Sequence, residues 1–214
     1  KSSRMGVNIV SKAFVKMNEK PLIDYVIQSI EPQVDRVLLS GSRTSLLGLS
    51  YPIIEDLGSR YSGPLAGLYS ALESSLFDST EYIVIVPCDG PFIPNNLVCK
   101  LHDAIKENDS DVCFIQYDGI LQTTFSIWNT RVKESVKKAF LVNKDGRFKR
   151  LAAGLNSTFL PWPVTSVNPF FNINSKKCLT PEHVLSFGNP FSAVDFSHTE
   201  FFPSIQKFID IKLS

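Results

Sequence analysis

The chain lacks the segments that mark membrane, secreted and disulfide-bonded proteins. No apolar run approaches the ~18 residues that a membrane-spanning helix needs, and the first residues contain no apolar stretch typical of a signal peptide. The four cysteines include no CxxC pair, and Cys88, Cys99 and Cys113 lie in or beside apolar runs. We therefore expect buried free thiols in a reducing compartment, and a cytoplasmic protein.

Strong net charge and catalytic histidine spacing are also missing. The formal net charge is only +1, which gives no support for a nucleic-acid or membrane partner, so any recognition of anions must be local. His102, His183 and His198 have no partner at catalytic spacing, and we expect none of them to act in catalysis. The 214 residues, 43% of them hydrophobic, are enough for one sizeable core.

Helix and strand signals alternate along the first half of the chain. The predicted strands are 36–40, 51–56 and 81–86, and the predicted helices are 21–30, 63–75 and 95–108. The run at 81–86, EYIVIV, ends in four consecutive β-branched residues, which is typical of a strand buried on both faces. The alternation predicts a three-layer α/β/α sandwich with a mostly parallel, Rossmann-like sheet.

The second half of the chain is organised differently. Strands are predicted at 111–117 and 121–128, on either side of a turn at Asp118-Gly119. The remaining helix signals fall at 130–143, 147–153, 180–187 and 203–213. We interpret 1–214 as a single domain, with a nucleotide-binding part over about 1–110, an acceptor-binding part over about 111–180 and an unassigned C-terminal tail.

Two short polar stretches have the composition of phosphate and metal sites. SSRMG (2–6) combines hydroxyl residues, an arginine and a glycine, which can present N–H donors and a guanidinium to phosphate. PCDGPF (87–92) places Asp89 just beyond the most buried strand, where open α/β sheets hold ligands. A carboxylate there can hold magnesium that bridges nucleotide phosphates, although Asp-Gly-Pro also closes ordinary turns.

Three further stretches suit ligand binding but have structural interpretations as well. GPLAG (63–67) brings glycines to the start of a helix, which lets a base or ribose approach the backbone, and it also fits a plain helix entry. Asn172 and Asn174 share one side of an extended segment, as in a base-binding amide pair or a strand edge. The basic run at 147–150 can grip a phosphate or form a solvated helix face.

Taken in order, these stretches resemble the molybdenum cofactor guanylyltransferases, bacterial enzymes that join GMP to molybdopterin. The matching pieces are KSSRMG, EKPLIDYVI, SGPLAGLYSAL, VPCDGPFIP, LQTTFSIW, DGRFKRL and FNINSKKCL, which together span about residues 1–180. The resemblance implies the fold of the nucleotide-diphospho-sugar transferases, a magnesium ion, and GTP and molybdopterin as substrates.

The resemblance also implies a role for each matching residue. The residues that would contact the nucleotide phosphates are Arg4, Gly6 and Lys12. Those that would recognise guanosine are Asp56, Gly63, Pro64, Leu65 and Gly67. Those that would lie toward molybdopterin are Arg147, Asn172 and Asn174. Asp89 would ligate magnesium, and with Arg4 and Lys12 it would form the catalytic set.

The chain departs from the family pattern at its start. The strand and paired glycines that precede RMG in the family are absent, which predicts a short apolar strand ending in Gly-Gly before Lys1. Extra residues follow Gly6, so Lys12 is placed by its distance from KPL (20–22).

Two alternatives to a guanylyltransferase stay open. One is a related nucleotidyltransferase that uses CTP or a sugar-phosphate acceptor. The other is a non-catalytic cofactor-binding relative, which the extra residues before Lys12 support. The family also implies transient contact with molybdenum-insertion proteins or apo-molybdoenzymes.

Overall fold

The computed structural model describes residues 12–17, 19–43, 46, 48–57, 64–142, 147–173 and 206–211, with backbone alone for Lys12 and 206–211. The strands are β1 (Lys16–Met17), β2 (Lys20–Pro21), β3 (Arg36–Ser40), β4 (Ile53–Ile54), β5 (Tyr82–Pro87), β6 (Val112–Tyr117), β7 (Ile120–Asn129), β8 (Ser157–Trp162) and β9 (Gln206–Ile211). The α-helices are α1 (Leu22–Ile30), α2 (Pro64–Glu73), α3 (Leu97–Glu107), α4 (Lys133–Leu141) and α5 (Phe148–Ala152).

Seven strands form one mixed sheet in the order β4-β3-β9-β5-β7-β6-β8, while β1 and β2 form a separate small hairpin. The pairs β3/β4 and β6/β8 are parallel. Strand β9 is antiparallel to β3 and β5, and β7 is antiparallel to β5 and β6. Consequently β3, β4, β5, β6 and β8 share one direction, and their carboxyl ends lie along one edge of the sheet.

The sheet carries a helical layer on each face. Helices α1 and α3 pack in one core, and α2, α4 and α5 pack in the other. Strand β5 contributes to both, since Val84 and Val86 lie in the first core while Ile83 and Ile85 lie in the second. The predicted three-layer α/β/α fold is confirmed. The run predicted to be buried on both faces, 81–86, is buried from Tyr82 onward, while Glu81 is exposed.

The C-terminal helix predicted at 203–213 is wrong over the part of it that the structure describes. Residues 206–211 form β9, which is paired along its length with β5 and over Arg36–Leu39 with β3. A strand satisfies the backbone groups of both neighbours, which a helix in this position cannot do. The helix predicted at 180–187 lies outside the described residues.

Smaller differences concern a strand and a thiol. The strand expected at 51–56 is reduced to β4, and the segment from Phe170 to Ile173 contains no regular secondary structure. Cys88 and Cys113 are buried as expected, and burial raises the pKa of the Cys113 thiol to about 12. Cys99 is exposed, contrary to expectation, because it lies on the outer side of α3.

Within the described ranges, no helix is long and apolar enough to cross a membrane.

The turn predicted between the second-half strands is confirmed. Asp118 and Gly119 connect β6 to β7 with φ angles of +48° and +71°. Positive φ at both central residues matches the two-residue hairpin turn whose twist suits the flanking strands. Gly119 has open space where a Cβ would lie, so only its backbone conformation favours glycine there.

We expect Gly119→Ala to lower the free energy of unfolding by about 1 kcal/mol, because alanine is strained at this φ. Gly154→Ala is the matched control, since a Cβ there meets only the Leu151 carbonyl oxygen at 3.6 Å, an ordinary contact. Urea unfolding of both variants tests this. Equal effects at the two positions would contradict the assignment of strain to Gly119.

Candidate active site at the carboxyl edge of the sheet

Asp89 lies in the turn that follows β5, at the carboxyl edge of the sheet. Its side chain is buried, with 7% of the residue exposed. The backbone of the turn is held in two ways: the Gly90 N–H reaches the Pro87 carbonyl at 3.5 Å, and the Ile173 N–H donates to the Asp89 carbonyl at 2.7 Å. A buried carboxylate is thus held in place at the edge where open α/β sheets bind ligands.

Asn172 is brought to the same turn from far along the chain. Its amide oxygen lies 3.2 Å from the point where a Cβ on Gly90 would be. That oxygen is buried and accepts no hydrogen bond within the part of the chain that the structure describes. Since leaving a buried acceptor unpaired costs about 1–3 kcal/mol, this oxygen is a candidate for binding a ligand or a cation.

Phe170 anchors the segment that carries Asn172. Its ring is 1% exposed and meets the rings of Tyr117, Phe125 and Trp162 at centroid distances of 5.8, 5.0 and 5.3 Å, each with an edge-to-face tilt. Such aromatic pairs contribute about 0.5–1.5 kcal/mol each beyond the area they bury. The anchor therefore ties the irregular segment to β6, β7 and β8, two residues before Asn172.

Asp56 lies at the same edge, just after β4. Its Oδ1 accepts a hydrogen bond from the Ser40 hydroxyl at 3.0 Å, and Ser40 is the last residue of β3. Although Asp56 is exposed by surface area, its carboxyl group lies among enough protein atoms that desolvation raises its pKa. The hydrogen bond from Ser40 acts in the opposite direction because it favours the charged form.

Ser70 fastens the Asp56 loop to helix α2. Its hydroxyl oxygen accepts from the Leu57 N–H at 2.7 Å and donates to the Ala66 carbonyl at 2.9 Å. The loop after β4 is therefore tied to the helix that begins in GPLAG. Among the GPLAG residues that the structure describes, Pro64 is half-buried while Leu65 and Gly67 are buried in the second core.

Arg147 lies on a different part of the surface from Asp89 and Asn172. It precedes α5, is exposed, and lines a cavity of about 580 Å³ together with Lys138 and Arg150. Neither Asp89 nor Asn172 lines that cavity. The structure thus brings together Asp89 and Asn172 among the predicted site residues, and it places Asp56 at the same edge.

Several predicted site residues lie outside the description. Arg4, Gly6, Gly63 and Asn174 are not among the described residues. Lys12 is described only by its backbone, as the first residue of a short 3₁₀ turn, Lys12–Phe14. Their predicted roles stay predictions.

Comparison with known proteins decides the family. The family profile described as "MobA-like NTP transferase domain" matches residues 1–158. The chain belongs to the MobA-like NTP transferase family. The resemblance seen in the sequence is therefore confirmed.

Curated relatives of this MobA-like chain carry one name. It is 31% identical over 189 residues to a molybdenum cofactor guanylyltransferase of Vibrio parahaemolyticus, covering 87% of this chain and 90% of that protein. A molybdenum cofactor guanylyltransferase of Rhodopseudomonas palustris is 29% identical over 187 residues, 86% of each chain. The predicted enzyme class, a nucleotidyltransferase, is confirmed.

Solved structures support the fold. The MobA-like chain matches 2-C-methyl-D-erythritol 4-phosphate cytidylyltransferase of Thermus thermophilus with a TM-score of 0.62, 17% identity, and coverage of 85% of this chain and 99% of that one. It matches molybdopterin-guanine dinucleotide biosynthesis protein A of Archaeoglobus fulgidus with a TM-score of 0.57, 17% identity, and coverage of 70% and 74%. At such identities these likenesses show the fold alone.

Sequence reasoning missed four residues that shape the site: Ser40, Ser70, Gly90 and Phe170. Gly90 follows the predicted Asp89 directly, so the tight DGP turn was its available signal. Ser40 is the polar end of an apolar strand, which is also visible in the sequence. Ser70 and Phe170 have no such signal, because their roles depend on partners that only the folded chain brings near.

We expect Gly90→Ala to lower the free energy of unfolding by about 1–3 kcal/mol, because its Cβ would lie 2.7 Å from the Phe125 Cζ. Urea unfolding measures the loss. Adding Phe125→Leu removes the clashing ring atom, so the double variant should lose less than the sum of the two single changes. Full additivity, or an unaffected Gly90→Ala protein, would refute a close contact here.

We expect Ser40→Ala to raise the pKa of Asp56 further, because it removes the hydrogen bond that favours the carboxylate. Carbon-13 NMR titration of the Asp56 carboxyl group measures the change. Ser40→Cys is the matched control: it keeps the volume with a weak donor, so its pKa should fall between those of the parent and Ser40→Ala. An unchanged or lower pKa in Ser40→Ala would show that the bond does not form in solution.

Proposed function

We propose that this chain is a molybdenum cofactor guanylyltransferase, which transfers GMP from GTP to the phosphate of molybdopterin and releases pyrophosphate. The single observation that carries the proposal is the turn after β5, at the ligand-binding edge of a MobA-like NTP transferase fold. It contains the buried Asp89, and against its Gly90 lies the Asn172 amide oxygen, which accepts no hydrogen bond from the described residues. The names of the relatives that match most of the chain support the choice of substrates.

The donors at the Asp89 turn fit the magnesium ion that the family implies. Magnesium prefers oxygen ligands and is commonly bound by one or two carboxylates together with substrate phosphates. Asp89 supplies a carboxylate and Asn172 an amide oxygen. Among the described residues, no group of three or more His, Cys, Asp or Glu side chains could hold a metal. When bound, the ion would neutralise charge on the triphosphate.

The proposed reaction requires the protein mainly to align the two substrates and to stabilise negative charge on their phosphates. The attacking group is a phosphate that is already an anion, so no general base is required. The one described histidine, His102, agrees with this: it packs edge-on to Tyr82 at 5.3 Å, and desolvation first and Lys106 second lower its pKa. Arg4 and Lys12 would stabilise the charge that develops on the departing pyrophosphate.

Asp56 supports guanine as the base. An ionised carboxylate only accepts hydrogen bonds, and the guanine edge offers two adjacent donors, its ring N–H and its exocyclic amine. The cytosine edge places an acceptor beside its single amine, which a carboxylate opposes. Desolvation raises the pKa of Asp56, and the hydrogen bond from Ser40 opposes this by favouring the charged form while keeping one carboxylate oxygen oriented.

The compartment and the partners follow from the same proposal. The buried thiols Cys88 and Cys113 suit the reducing cytoplasm, where GTP is abundant. The substrates are small molecules, and the product must reach other proteins. Transient contact with molybdenum-insertion proteins or apo-molybdoenzymes belongs to this proposal.

We expect Asp89→Asn to lower turnover about 10²–10³-fold, because it removes a charge that acts on the transferring phosphates. Pyrophosphate release from GTP, magnesium and molybdopterin measures this, and thermal unfolding checks the fold. Asp35→Asn is the matched control, since Asp35 is an exposed aspartate just before β3, at the opposite end of the sheet.

Competition by CTP and ATP in the same assay tests the choice of base. GTP is expected to be preferred. Near-normal turnover of Asp89→Asn would remove Asp89 from the mechanism, and preference for CTP would replace the proposed nucleotide.

A further inference from the structure

A second candidate site lies in the groove between α4 and α5, which we call the basic groove. It is the cavity of about 580 Å³ introduced above. Helix α4 contributes Ser135, Lys138 and Ala139, which are spaced i, i+3 and i+4 and so share one face. Arg147, just before α5, and Arg150 and Leu151 within α5 repeat that spacing. Both walls thus present a polar or cationic side chain and then an apolar one.

The groove concentrates positive charge in a chain whose net charge is only +1. Three cations line it, and none of its described lining residues is acidic. Both helices carry further lysines outside the groove lining, Lys137 on α4 and Lys149 on α5. Lys133 of α4 is instead paired with Glu73 at 3.9 Å, and α4 also carries Glu134. A concave wall of one sign raises the local concentration of anions. Arginine in particular offers a planar fork that matches phosphate oxygens.

The remaining lining is apolar or without a side chain. Leu65 from the start of α2, together with Ala139, Leu151 and Leu155, supplies hydrophobic surface. The volume falls within the range of about 300–1,000 Å³ typical of small-molecule sites, and it exceeds what a bare phosphate needs. A ligand that fits both features carries a phosphate and an apolar or aromatic body.

We propose that the basic groove binds an organic phosphate ester, with Lys138 and Arg150 holding the phosphate and the leucine-lined floor holding the organic body. The proposal concerns a surface that contains neither Asp89 nor Asn172, and it holds whether or not the proposed reaction is correct. Two sources share this chemistry: the phosphate-bearing acceptor of the reaction, or a separate effector. Leu65 brings the groove to the start of α2, the helix to which Ser70 ties the Asp56 loop.

The direct test is an amide NMR titration of the full chain with 1-naphthyl phosphate. The expected result is saturable shifts at Ser135, Lys138, Arg150 and Gly154, with much weaker shifts for 1-naphthol or inorganic phosphate alone. Absence of saturable shifts at these residues, or shifts confined to the Asp89 turn, would overturn the proposal.

Two variants and a matched control locate the interaction. Arg150→Gln should weaken binding at least about tenfold by removing one charged hydrogen bond. Ser135→Glu should do the same by placing a carboxylate in the groove, and it should keep the fold, because Ser135 is exposed in the first turn of α4, where Glu is favourable. Lys149→Gln removes a charge from the same helix outside the groove lining and should bind normally. Equal losses in all three would indicate diffuse attraction and refute a site.

Kinetics then distinguishes the two sources. If the ligand is the acceptor, Arg150→Gln raises the Michaelis constant for molybdopterin and leaves that for GTP unchanged. If the ligand is an effector, the Michaelis constants for molybdopterin and GTP are both unchanged in Arg150→Gln, and turnover no longer responds to added phosphate ester. Either outcome supports the site. If GTP and molybdopterin give no turnover at all, the proposed function is wrong. The NMR titration still tests whether the basic groove binds an organic phosphate ester.

Discussion

The rest of the structure depends on the burial of strand β5 on both of its faces. Its side chains alternate between the two hydrophobic cores, so the strand cannot carry a polar group along its length without leaving that group unpaired. Polar chemistry is therefore confined to the turn where the strand ends. Asp89 is the first acidic residue after β5, and its position follows from this constraint as much as from any local preference of the sequence.

A single carboxylate at a strand end would not make a site, and the fold adds the second oxygen from more than 80 residues away. Asn172 reaches the turn because Phe170 is packed among rings of β6, β7 and β8, and because Ile173 donates to the Asp89 carbonyl. Gly90 leaves room for both Phe125 and Asn172. The second half of the chain thus completes an edge that the first half begins.

Local patterns predicted much of this, and the failures have a common cause. β3 has the predicted bounds because its apolar residues are flanked by polar ones, which mark where the strand begins and ends. Asp89 can be picked out from the sequence because it follows the most apolar run. In the segment 203–213, Ile205, Phe208 and Ile209 have a spacing that also suits one face of a helix. Only the space between β3 and β5 selects the strand. The exposure of Cys99 can be predicted from the sequence, since Leu97, Val98 and Leu101 define the buried side of α3. The role of Ser70 cannot be predicted in this way, because its hydrogen-bond partners depend on how α2 meets the loop after β4.

The distribution of charge separates the groups that maintain the fold from those that can meet substrate. Arg131 is committed to structure: it donates to Asp109 and Asp111 at 2.8 and 2.7 Å, and these bonds, that to Asp109 first, raise its pKa. Asp111 also accepts from the Asn156 N–H, so this network ties β6 to the start of β8 at the edge opposite Asp89. At the carboxyl edge lie the acidic residues Asp89 and Asp56, which under the proposed function would favour a triphosphate that arrives with a cation. The basic groove needs no such mediator, because its own side chains carry the positive charge. Two anionic ligands would therefore be recognised on this chain by opposite means, one through a metal at acidic residues and one directly by arginine and lysine.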